Sequence, residues 1–252
     1  MRQGRSTRIA LVAVALASLA TMTACGGSDM TPTPSESAAA EPNGVEELSA
    51  DEIVARMTDA VDAATSVHVT GDSAQGGSTL AIDLQLGSNG DAAGSLTSNG
   101  QEIQIAAVAG TVYFTADEAF WTAQGGAAAA AQLAGKYVEV PAGDQSFGSL
   151  TDYAAFMEQL LTPEGAVEKG DQVDVDGVAA IELIDTKDDG SLLVSLEGEP
   201  LPLKVVPTDG GELLLTDWNA DFTVTAPAAS DIVDPNTLAP ATPSPSTPTP
   251  SP

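Results

Sequence analysis

The chain has 252 residues, with 36 acidic against 8 basic side chains and a formal net charge of −28 at pH 7. That balance excludes a nucleic-acid partner, because phosphate backbones are held by Lys and Arg, and it repels anionic phospholipid headgroups; a high-salt habitat is an alternative source of the acidity. One cysteine and one histidine leave no disulfide framework and no zinc spacing.

Arg2, Arg5 and Arg8 precede an apolar run from Ile9 to Ala24. A basic start followed by a short greasy core predicts a signal peptide over residues 1–24, and the run falls short of the ~20 apolar residues that a spanning helix needs. Thr23 and Ala24 place small residues directly before Cys25, so Met22, Thr23, Ala24 and Cys25 resemble a lipobox. Processing there makes Cys25 the new N-terminus, its thiol carrying diacylglycerol and its amine an acyl chain such as palmitate. Two or more chains anchor a protein stably, which expects a place on the extracytoplasmic face of the cell membrane. The alternative is cleavage elsewhere, with Cys25 left as a free thiol.

Residues 25–45 are rich in Gly, Ser, Thr, Pro, Ala and Glu, too polar to order by burial, and predict a tether. Residues 46–235 have the length of one domain. "NTLAPATPSPSTPTPSP", residues 236–252, predicts an extended disordered tail. It is a spacer across wall polymer, a site of threonine glycosylation, or dispensable.

The domain opens with "LSADEIVARMTDAVDAATS". Ser49 and Glu52 have the spacing of a capping box, and Ile53, Met57, Val61 and Ala64 recur at helical period, predicting a helix from about Ala50 to Ala64. From Ser66 the period becomes two. In "STLAIDLQL" Leu80, Ile82, Leu84 and Leu86 alternate with Thr79, Asp83 and Gln85, and in "QEIQIAAV" Ile103 and Ile105 alternate with Glu102 and Gln104. Strands with one wet face alternate in this way. "GSNGD", Asn99-Gly100 and Ala109-Gly110 suit tight hairpins, so an antiparallel meander runs to about Thr115.

Two helix-like pieces follow, Ala127 to Leu133 and about Asp152 to Leu161, with "YVEV" as a short strand between them and Gly125-Gly126 as a joint. After Gly165 the strands return as "DQVDVDG", "VAAIELID", "SLLVSLEG", "LPLKVV", "GELLLTDWN" and "DFTVTAP". The fold class expected is α+β, a curved antiparallel half-barrel of about ten or eleven strands with helices packed on its concave face, because an antiparallel sheet of that size tends to curl.

Catalytic constellations are poorly supported. "GDS" at Gly71 to Ser73 has the look of an esterase nucleophile block, but the only histidine, His68, lies upstream on the same strand and cannot serve Ser73; His68 is read as a solvent-side strand residue. "DQVDVDG" has the look of a calcium loop, yet with Gly177 at the sixth position Gln172 falls at the first and Leu183 at the twelfth, where a bidentate glutamate belongs. No carboxylate pair is singled out by its setting for glycoside chemistry, and aromatic platforms are few. The expectation is a protein that is not an enzyme, with no cofactor and no metal.

The order of lipobox, tether, helix, meander, helical interruption and second meander resembles the LppX/LprG-type envelope lipoproteins, relatives of the LolA and LolB carriers. The stretches that carry the likeness are "AGTVYFTADEAFW" (Ala109 to Trp121), "LAGKYVEVPAGD" (Leu133 to Asp144) and "LLLTDWNADFTVTAPAASDIVD" (Leu213 to Asp234). The resemblance implies a half-barrel that cradles acyl chains of a lipid or lipoglycan ligand between sheet and helices. Carried over, the cradle would be lined from the sheet by Leu80, Ile82, Leu84, Ile103, Ile105, Val112, Phe114, Leu192, Val194 and Leu213, and from the helical cover by Phe120, Trp121, Tyr153, Phe156 and Met157. A tightly packed core would use the same residues.

Two functions follow from these readings. One is a monomeric lipid-binding or lipid-transfer lipoprotein held to the membrane through acylated Cys25. The other is a non-catalytic envelope interaction or sensing lipoprotein with a closed core and an acidic partner-binding surface.

Overall fold

The computed structural model describes residues 41–75, 77–140 and 147–233. Cys25, most of the tether and the Pro-rich tail lie outside the described residues.

Helix α1 (Ala50–Ala63) begins as its capping box dictates: the Glu52 amide donates to the Ser49 hydroxyl, and the Ser49 amide donates to the Glu52 carboxylate at 3.0 Å. These hydrogen bonds to Ser49 hold the Glu52 carboxyl below the usual carboxylate range. Its buried face is Ile53, Met57 and Val61.

Strands β1 (Ser66–Gln75), β2 (Ser78–Gly87), β3 (Ala92–Ser98), β4 (Gln101–Val108), β5 (Thr111–Ala116) and β6 (Tyr137–Glu139) form the first meander. Tight turns set its register. Asn99 and Gly100 take φ of 52° and 75°, and Ser98 then sits opposite Gln101; Ala109 and Gly110 take 50° and 81°, and Val108 sits opposite Thr111. Left-handed φ at both central residues gives a two-residue turn whose twist matches the strands it joins.

Helix α2 (Glu118–Leu133) interrupts between β5 and β6, followed by α3 (Gly148–Thr151) and α4 (Tyr153–Leu161). The expected helix from Ala127 starts earlier, at Glu118, because the Asp117 side chain accepts from the Phe120 amide at 2.6 Å and caps it. At Gly126, φ 76° and ψ 179° break α2 into two pieces. The second meander is β7 (Val167–Val175), β8 (Val178–Asp185), β9 (Ser191–Ser195), β10 (Pro202–Val206) and β11 (Gly211–Thr216). A two-residue strand β12 (Ile232–Val233) lies parallel to β6. The expected strand "DFTVTAP" forms no ladder: residues 221–227 have no regular structure.

All strands belong to one 12-stranded sheet in the order β12-β6-β5-β4-β3-β2-β1-β11-β10-β9-β8-β7. The first strand of one meander pairs with the last of the other, Val69 opposite Leu215 and Gly71 opposite Leu213. Two corrections to the expected fold follow. There are more strands than expected, and the sheet is open, neither closed nor strongly curled into a half-barrel. Strong coiling is produced by bulges and bends, and register shifts interrupt only the β7–β8 and β9–β10 ladders.

One face of this sheet carries the helices. Ile53, Met57 and Val61 of α1 and Tyr153, Phe156 and Met157 of α4 share a core with Val67, Val69, Leu84, Leu86, Leu183 and Val194 of the strands. A smaller cluster, built on Trp121, Ala130, Leu133 and Val138, lies under α2.

A candidate ligand cavity between helices and sheet

At the end of α4 the helical layer parts from the sheet. A cavity of about 370 Å³ opens there, floored by Val54 of α1, Leu160 and Leu161 of α4, and Leu183, Leu192 and Val205 of the strands. The size lies near the lower end of the ~300–1,000 Å³ found for small-molecule sites, and an apolar wall with a few polar groups is their usual make-up.

Three turns frame the mouth: residues 162–164 after α4, the β8–β9 turn through Asp188, and the β10–β11 turn at Pro207, Thr208 and Asp209. Asp185 ties the first to the second. One of its oxygens accepts from the amides of Glu164 and Gly165 at 2.7 and 2.9 Å, the other from the Lys187 amide at 2.8 Å. The amides of Lys187 and Gly165, with that of Glu164, hold its carboxyl below the ordinary range. Lys187 pairs with Glu164, and that hydrogen bond with the attraction between the two charges raises the Lys187 ammonium above its usual value. Asp188 binds both neighbours, its carboxylate accepting from the Gly190 amide at 2.9 Å and its backbone oxygen from the Thr208 hydroxyl at 2.6 Å.

The chain joins the domain at the other end of β9. The Gly198 amide donates to the Glu41 carbonyl at 2.9 Å and the Asn43 side chain donates to the Ser195 carbonyl at 2.9 Å. Ser191, by contrast, lines the cavity, so mouth and chain entry occupy opposite ends of one strand.

The expected cradle residues gather on the helix-bearing side of the sheet. Ile82, Leu84, Ile105, Tyr153, Phe156, Met157, Val194 and Leu213 are buried in the main core, with Leu80, Ile103, Val112, Phe114 and Leu192 packed against it. Trp121 and Phe120 belong to the smaller cluster, where Phe114 and Trp121 lie 5.5 Å apart and Phe120 meets Trp121 edge-on at 5.1 Å. Among these residues Leu192 alone lines the cavity. Val112 and Tyr153 line a second hollow of about 550 Å³, bordered by Gly87, Gly90, Asp62 and Asp152 and by Val140 and Phe147, which flank residues 141–146.

Sequence reasoning missed Val54, Leu160, Leu161, Leu183 and Val205. Alternation in "VAAIELID" and "LPLKVV" places Leu183 and Val205 on a face, but only their register with β9, Leu183 opposite Leu192 and Val205 opposite Leu192, brings them to one place.

The other motifs fall elsewhere. His68 is on the face away from the helices, Nε2 2.7 Å from an Asp83 oxygen and Nδ1 3.5 Å from one of Asp217. Ser73 is an odd number of residues along the same strand and faces the opposite way, into the cavity wall. "DQVDVDG" forms the end of β7 and a hairpin turn, where the Gly177 amide donates to Asp174 at 2.8 Å. Among the described residues no group of three metal-ligating side chains is placed to hold an ion, and no helix is long and apolar enough to cross a membrane.

No family model and no curated protein matches this sequence. The crystal structure of LprF from Mycobacterium bovis is similar, with a TM-score of 0.50 and 15% identity over 71% of this chain and 97% of that one. This likeness shows the fold, and in fold the chain resembles an LppX/LprG-type protein. A MucA/MucB complex of Pseudomonas aeruginosa matches at a TM-score of 0.32 and 18% identity, over 72% of this chain and 59% of that one, too low to carry an argument.

Proposed function

We propose, from a fold like that of LprF, that this chain is an envelope lipoprotein which binds an acyl-chain ligand between its helices and its sheet, without catalysing a reaction. The observation that carries the reading is the cavity floored by Val54, Leu160, Leu161, Leu183, Leu192 and Val205. A lipid tail gains about 0.8 kcal/mol for each methylene removed from water, so a cleft with such a floor favours a hydrocarbon occupant over a polar one. Lipidation of Cys25 would hold the protein on the extracytoplasmic face of the membrane through the 25–45 tether, with residues 46–235 as the binding domain and 236–252 as the tail.

Filling the cleft is the direct test. Leu192→Trp should reduce uptake of a fluorescent acyl probe at least about tenfold by blocking the floor, with the thermal midpoint used to check folding. Undiminished uptake by a folded variant would sink the reading.

A second reading rests on the packing of the expected cradle: Leu84 and Val194 are 0% exposed and Leu213 is 3% exposed. In that case the core is closed and the acidic surface binds an envelope partner. No uptake of the probe by the unaltered chain would favour it.

A further inference from the structure

We propose that residues 118–125, the first half of α2, form a hinged gate whose opening extends the hollow of about 550 Å³ along β5 into a second seat for an acyl chain. The occupant rests on the acyl-binding reading; the hinge does not.

Little holds this piece down. It lies between two residues with non-helical backbone, Asp117 at ψ 166° and Gly126 at φ 76° and ψ 179°, so rotation at its ends moves it without unwinding it. Glu118, Ala119, Thr122, Ala123 and Gln124 are exposed, Phe120 is half-buried, and Trp121 is the one buried residue of the piece. Helix α1 buries Ile53, Met57 and Val61, and α4 buries Tyr153, Phe156 and Met157. The anchor is itself poorly served. Trp121 is 7% exposed, and its Nε1 is buried with no acceptor among the described residues. The other indole, that of Trp218, donates to the Pro202 carbonyl at 3.0 Å. A donor taken from water without an acceptor destabilises the closed position, and swinging outward returns it to water. A segment with few buried contacts opens at low cost relative to the core.

The covered surface explains what opening would do. Trp121 packs with Ala116, and Ile103 and Phe114 pack against the same cluster. Phe114 also stacks on Phe147 at 5.0 Å, and Phe147 and Val112 both line the hollow. Val112, Phe114 and Ala116 share one face of β5. With the gate lifted, that face becomes an apolar floor continuous with the hollow, and it favours a hydrocarbon over water.

Hydrogen exchange of the purified full chain tests the hinge, with Trp218→Phe assigning the two indole signals. The Trp121 indole N–H and the amides of residues 122–125 should share one protection factor, at least about tenfold below that of the α1 amides. Dibromostearate, a contact quencher, tests the seat: in Trp218→Phe it should cause a loss of Trp121 emission that stearate does not. If Trp218→Phe fails to fold, Trp121→Phe gives the assignment by subtraction, and the quenching is read as emission lost by the unaltered chain and not by that variant.

A Trp121 indole protected as well as α1 overturns the gate, even where the amides around it fray. Unquenched Trp121 in a chain that takes up a fluorescent acyl probe overturns the second seat and leaves acyl binding standing. If no acyl probe binds, the acyl reading and the seat fall together, and the exchange result still decides the hinge.

Discussion

Tyr153 condenses the helix–sheet packing into one side chain. Its hydroxyl donates to the Val61 carbonyl at 2.7 Å, near the end of α1, and its ring is 6% exposed. Burial first, and the Asp62 carboxylate second, push its phenol from 10.0 up to about 12. A raised phenol means that the fold favours the neutral form. The stabilisation is thus complete below pH 10 and lost as pH climbs from 10 towards about 12. Urea midpoints should fall across that window, and Tyr153→Phe should show a shallower fall while costing about 1 kcal/mol at neutral pH for the lost hydrogen bond; equal slopes would mean that Tyr153 is not the group responsible. Single residues were legible where their partners are near in sequence, as with Ser49 and Glu52. The pairing of Tyr153 with Val61 was not, because nothing local to either residue encodes it.

Among the elements, hairpins were legible and helices less so. Asn99-Gly100, Ala109-Gly110 and Asp176-Gly177 are turn chemistry written into adjacent residues, and each sits at a tight turn. Helix α2 is harder to see: its buried residues are only Trp121, Ala130 and Leu133, so its apolar stripe is thin, and a glycine pair divides it. At Gly126 a Cβ would meet nothing within 4 Å, yet φ is 76° with ψ near 179°. That region of backbone is nearly closed to other residues. Gly126→Ala should therefore lower stability by about 2 kcal/mol through the backbone alone, measured as a lower thermal midpoint. A neutral substitution would show that the break in α2 is not held in that conformation.

For the whole molecule, the joining of β1 to β11 turns two local meanders into one sheet, and the cavity at the end of α4 draws its lining from both of them. Ser73 and Ala74 of β1 and Pro207 to Asp209 beside β11 meet at its rim although more than half of the chain separates them. The proposed attachment through Cys25 is tested at this scale too. Cys25→Ser should move the protein from the detergent phase to the aqueous phase in a cloud-point partition, since two or more acyl chains are needed for stable anchoring. Retention of the variant in the detergent phase would rule out Cys25 as the anchor.

Local physical chemistry was enough to determine the capped first helix, the alternating strands and their turns, because each depends on neighbours a few residues apart. The α+β class and the cluster of apolar faces followed from the same periods. Only the tertiary structure decided that the sheet stays open, that β1 pairs with β11, and that a cleft remains where α4 ends. Those outcomes depend on register between distant strands and on where helices fail to cover the sheet, and no short stretch of residues carries that information.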